Sequence, residues 1–120
     1  MDKINSFRDL KVWQKAHQLV LTVYQMTKNF PTDERYGLVS QMRRAAVSVP
    51  ANIAEGFKRK GKGEKTRFYN IGEASFEELK YFLILSKDLG YISDNEEVME
   101  EAEIISKMSY RLIEAINKSR

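Results

Sequence analysis

The sequence has no cysteine, one histidine, two prolines and one tryptophan among 120 residues. Without cysteine there is no disulfide framework, no thiolate metal site and no thiol nucleophile. A single histidine, His17, is too few for a multi-imidazole metal centre. A di-iron helical bundle would need two Glu-x-x-His pairs, and the residue three before His17 is Gln14. One His among scattered serines does not define a Ser/His/acid set either. The longest uninterrupted apolar run, Tyr81–Leu85, is far short of the roughly 20 residues that span a bilayer. The opening Met1-Asp2-Lys3 leads into no apolar signal segment. The expectation is a soluble cytoplasmic protein with no membrane association and no cofactor.

What is present is a helical pattern. Hydrophobic residues make up 42% and charged residues 31%, a balance that lies outside the disordered class. The length suits one domain, residues 1–120, with one sizeable core. Apolar spacing of three and four predicts helices over about 7–29, 33–60, 64–89 and 94–118. Ser6 with Asp9 forms a capping box for the first, Thr32 caps the second, Gly90 closes the third, and Ser93 or Asp94 caps the fourth. No strand-like alternation competes. The fold class expected is all-α: an antiparallel up-down-up-down four-helix bundle. Pro50 sits inside the second helix, where it removes a donor and crowds the Ala46 carbonyl, so a kink is expected rather than a break.

The first helix carries a core stripe of Leu10, Trp13, Ala16, His17, Val20, Val23, Tyr24 and Thr27. Val12, Leu19 and Val23 flank it on one side and Leu10 and Leu21 on the other, an apolar arc wider than an ordinary surface helix needs. Tyr36, Val47 and Ala54 lie on a second face of the next helix. This excess predicts self-association, with Leu19, Val23, Tyr36, Val47 and Ala54 as candidate interface residues. His17 is expected to be a hydrogen-bonded core or interface imidazole.

Net charge is +3, mild for a dedicated nucleic-acid binder, but its distribution is uneven. Lys58, Arg59, Lys60, Lys62, Lys65 and Arg67 surround one acid, Glu64, whereas Asp94 to Glu103 holds six acids and no base. The basic segment is the chief functional candidate, because cations around a glycine-containing turn can approach phosphates closely. Arg8, Lys11 and Lys15 form a second candidate patch on the first helix, and Lys107, Arg111 and Lys118 share a face of the fourth. Gly56 to Gly63 nearly matches a phosphate loop, but Gly63 stands where the magnesium-binding hydroxyl belongs and a helix precedes it. Glu96, Glu97, Glu100 and Glu101 resemble a magnesium-binding carboxylate cluster without the second pair that hydrolysis requires. Acids there also suit a helix start. No catalytic or metal residue is assigned, and no enzyme activity is expected.

Several strings also resemble a known family. Phe7 to Ala16, then Phe30-Pro31, Tyr36-Gly37-Leu38 and Gln41, and above all Arg43 to Gly56 with its Ser-Val-Pro-Ala-Asn-Ile-Ala-Glu-Gly string, are similar to the four-helix-bundle proteins named after intervening sequences of 23S ribosomal RNA genes. Ala74-Ser75, Glu78-Leu79 and Leu89-Gly90 continue the match. The resemblance implies a ring-like homopentamer. It extends to the accessory variability determinant of diversity-generating retroelements, a basic pentamer that works with a reverse transcriptase and nucleic acid. Within the signature, Ser48 and Asn52 can satisfy groups near Pro50, and Glu55 can face Arg43 or Arg44. The functional expectation is a non-enzymatic oligomer that binds RNA or DNA through its basic patches. The alternatives are an assembly or partner-binding scaffold and a reverse-transcriptase accessory protein.

Overall fold

In the computed structural model, which describes residues 3–119, the Ser6 capping box forms as expected but closes something shorter. Ser6 Oγ accepts the Arg8 N–H at 3.0 Å, and Asp9 Oδ2 accepts the Ser6 N–H at 3.1 Å. The box closes a 3-10 turn, Phe7–Asp9, after which Leu10 is extended. That bend lets the Phe7 ring meet Trp13 edge-on at 5.0 Å. The first α-helix, α1, therefore runs Lys11–Thr27, shorter at both ends than expected.

Three further helices follow: α2 (Leu38–Lys58), α3 (Lys62–Asp88) and α4 (Glu96–Lys118). Thr32 does not cap α2. It begins a separate 3-10 turn, Thr32–Glu34, and the Leu38 N–H is met from outside by Glu34 Oε1 at 3.3 Å. Gly90 does close α3: at φ +79 it donates to the Lys87 carbonyl, and the Tyr91 N–H reaches the Ser86 carbonyl, both at 2.9 Å. This is the paired-bond ending that needs a left-handed residue. Asp94 Oδ1 accepts the Glu96 N–H at 2.8 Å at the start of α4. α2 continues unbroken across Pro50. There Asn52 Nδ2 donates to the Ser48 carbonyl at 2.8 Å, and Ser75 Oγ of α3 donates to Ser48 Oγ at 2.8 Å.

No strand occurs among the described residues. α1 packs on α2 and α4, and α3 packs on the same two, while neither remaining pair meets among the described residues. The four helices thus close around one apolar core, within 49 × 26 × 20 Å. α2 and α3 approach closely at Gly56, where an added Cβ would lie 2.5 Å from the buried Tyr69 ring. The α3–α4 connector meets the α1–α2 connector through Tyr91, which stacks obliquely on Phe30 and donates to Glu34 Oε2 at 2.7 Å.

The core corrects the reading of α1. Its inward residues are Val12, Ala16, Leu19, Val20, Val23 and Thr27, so the stripe is rotated by about one position from that expected. Leu19, expected on an outward apolar face, is 3% exposed, and Val23, expected both in the core stripe and as an interface residue, is 0% exposed and belongs to the core. Tyr24, expected inside, is exposed, and so is His17, expected in the core or at an interface, which is therefore not a core residue. His17 stacks flat on Trp13 at 5.2 Å instead. Of the other candidate interface residues, Tyr36 and Val47 are exposed and Ala54 is partly so. Among the described residues, no helix is long and apolar enough to cross a membrane.

Candidate nucleic-acid interface

The six bases expected to act together separate into two groups. Lys58 ends α2, Arg59–Gly61 is the connector, and Lys62 begins α3. Lys65, one turn into α3, points back onto α2, where its Nζ donates to the Gly56 carbonyl at 3.2 Å and the Phe57 carbonyl at 2.8 Å. Those carbonyls lie in the last turn of α2, where that of Gly56 also accepts the Arg59 N–H at 3.2 Å, so the ammonium adds to the pairing of the helix end and complements the helix dipole. Lys65 is committed to holding the turn.

Arg59 and Arg67 are committed as well. Arg59 Nη2 pairs with Glu55 at 3.0 Å and Arg67 Nε with Glu64 at 3.0 Å. Their guanidinium carbons lie 4.6 and 4.5 Å from the centre of the same Phe68 ring. The Arg67 bond holds the Glu64 carboxyl below its ordinary range and the guanidinium above its own. Arg59, rather than Arg43 or Arg44, is thus the partner of Glu55. Lys58, Lys60 and Lys62 are exposed, and no ion pair reaches them among the described residues. Gly56 lies inside α2 and Gly63 inside α3, which leaves only Gly61 in the connector, so the run from Gly56 to Gly63 is not one continuous loop.

The second patch is looser. Arg8 belongs to the 3-10 turn, where its carbonyl accepts Gln14 Nε2 at 2.8 Å. Lys11 is the first residue of α1 and is exposed. Lys15 shares a cleft with Asp94, Glu97 and Glu101, so the acidic start of α4 offsets it. On the fourth helix, Lys118 lies 3.9 Å from Glu114. Among the described residues no three His, Asp or Glu side chains are grouped to hold a metal ion.

Sequence reasoning missed a further cationic site. Lys28, Arg35, Arg43 and Arg44 line an open cleft of about 850 Å³ between the end of α1 and the start of α2, beside Tyr24 and Tyr36. Arg43 Nε donates to Thr27 Oγ1 at 2.9 Å and Nη2 to the Tyr24 carbonyl at 3.3 Å. Its guanidinium lies 4.5 Å above the Tyr24 ring. The available signal was an absence: no acid occurs from Arg35 to Ala54.

Among curated proteins nothing matches this chain. Among solved structures, it is similar to a protein of unknown function from the S23 ribosomal protein family of Bacteroides thetaiotaomicron VPI-5482, with a TM-score of 0.76 and 21% identity over 85% of this chain and 97% of that one. At that identity the likeness is one of fold. A family model described as 23S rRNA-intervening sequence protein matches residues 8–111. With four helices around one core and a family match over nearly its whole length, the chain belongs to the 23S rRNA-intervening sequence protein family.

Proposed function

We propose that this protein is a non-enzymatic, self-associating cytoplasmic bundle that binds nucleic acid by neutralising phosphates at the α2–α3 turn. The observation that carries this reading is the trio Lys58, Lys60 and Lys62, exposed and without ion pairs among the described residues. Long ammonium side chains on a short connector can follow a phosphate backbone, and nothing beside them reads bases. The family's name links it to ribosomal RNA genes, which agrees with a nucleic-acid role. An antiparallel up-down-up-down course is favoured by the connector of three residues, Arg59–Gly61, and by the Tyr91 contacts between the other two connectors. A kink at Pro50 is favoured because the Ala46 carbonyl loses its helical donor there.

In a cyclic oligomer, a homopentamer by family resemblance, the lysine trio would recur around a rim and gain avidity. Val47 and Ala54 support self-association, since they line an apolar groove of about 380 Å³ with Trp13, His17 and Pro50. The test is gel retardation of a short RNA and a short DNA at about 50 mM salt, where phosphate contacts are strong. Wild type should retard both, with affinity falling steeply as salt rises. Replacing Lys58, Lys60 and Lys62 by Gln should reduce that affinity and flatten its salt dependence by about 0.7–0.9 for each phosphate no longer neutralised. Wild type that retards neither probe would leave the trio as a solvated turn and favour the scaffold reading.

A further inference from the structure

We infer that the cleft between α1 and α2 is a second nucleic-acid site, one that holds a single-stranded segment by a phosphate on Arg43 and Arg44 and a base on Tyr36. Arg43 is half-buried and has no carboxylate partner among the described residues. It is held on two α1 oxygens and over the Tyr24 ring. These contacts use Nε and one Nη2 hydrogen, leaving donors of the fork unassigned on a guanidinium already fixed in place. A partly buried cation held without a carboxylate partner is a ready anion ligand, and an anion in the cleft supplies the counter-charge.

The neighbouring acid does not serve. Glu34 spends its carboxylate on the Tyr91 hydroxyl and the Leu38 N–H. Lys28, Arg35 and Arg44 add positive charge around the opening, and no ion pair reaches them among the described residues. Tyr36 is 88% exposed beside these cations. A tyrosine standing in water at the rim of a basic cleft is a stacking platform for an unpaired base. A volume of about 850 Å³ falls in the range of pockets that take small organic groups. A duplex cannot offer both contacts at once, because its bases are stacked inside. Single-stranded nucleic acid offers both.

This inference extends the nucleic-acid reading to another part of the molecule. Arg43 and Lys58 are separated by about 22 Å along α2 at 1.5 Å per residue, so the two sites can fail independently. The experiment compares binding of a labelled 12-nucleotide single-stranded RNA with that of a duplex of the same length, by fluorescence anisotropy. Wild type should favour the single strand. Tyr36→Ala should weaken single-strand binding about tenfold, in the range for loss of a stacked base, and alter duplex binding less than twofold. Tyr36→Phe should restore it, and Arg44→Gln should weaken it with the helical circular dichroism unchanged. The Lys58, Lys60 and Lys62 triple variant should lose affinity for both probes and keep the single-strand preference. Equal binding of both probes by wild type, or Tyr36→Ala binding the single strand as wild type does, overturns the inference. A Tyr36→Ala variant that changes only the molecular mass would assign the cleft to a second copy of the chain and overturn it too.

Discussion

Glu73 shows what a single side chain can do inside this packing. It lies half-buried on α3, and its Oε1 has no hydrogen-bond partner. Burial pushes its carboxyl above the ordinary range, with Ser109 and Lys80 drawing it partway back. The folded state therefore holds the proton more tightly than the unfolded one. Stability from this group is present below the unfolded pKa, near 4.3 for a free glutamate, and is lost as pH rises through the folded value. Glu73→Gln should melt above wild type at pH 7, and the difference should shrink toward zero below about pH 4. Thermal denaturation across that range checks it, and a wild type that melts higher at pH 7 contradicts it. Lys80 behaves differently. Burial disfavours its charge, but hydrogen bonds to Glu77 and Glu103 outweigh that and raise its pKa.

At the scale of elements, the α2–α3 pair depends on one small residue and one long one. Gly56 lets the Tyr69 ring lie against the α2 backbone. Gly56→Ala gains about 1 kcal/mol of helix propensity, but it drives a methyl group into a ring that is 2% exposed. The net expectation is a loss of about 1–3 kcal/mol, read from urea denaturation; an alanine variant as stable as wild type would mean the helices separate freely. Lys65 ties the same turn from the other side. Lys65→Met keeps the apolar stem and removes the ammonium, so stability should fall by about 1 kcal/mol. Nucleic-acid affinity should fall less than in Lys60→Gln. A Lys65 variant that loses affinity more than Lys60→Gln would return Lys65 to the binding surface.

For the molecule as a whole, the inward placement of Leu19 and Val23 separates folding from assembly. Leu19→Glu buries an unpaired charge in the core, which should cost at least about 3 kcal/mol, and the chain should lose its cooperative melting transition. Val47→Glu acts on an exposed groove. It should keep the helical signal and lower the oligomer mass measured by light scattering. A wild type of about 14.0 kDa at all micromolar concentrations would remove self-association altogether. A natively folded Leu19→Glu would mean that α1 can rotate its stripe outward.

The helices and most of their ends were legible in the sequence because they are local. Ser6 with Asp9, Gly90 with its positive φ, and Asp94 act on backbone groups within a few residues. The orientation of α1 was not legible. Its apolar side chains cover so wide an arc that Val12, Leu19 and Val23 could be core or rim, and only the positions of α2 and α4 decide which. Charge behaved in the same way. The sequence determined that cations gather between Lys58 and Arg67, but their partners depend on how two helices meet across the turn. Lys65 reaches back to Gly56 and Phe57, and Arg59 and Arg67 converge on Phe68. The cleft holding Arg43 joins residues from two helices and the connector between them. Nearest-neighbour chemistry sets where helices start and stop, whereas a concave charged surface exists only once the helices have packed.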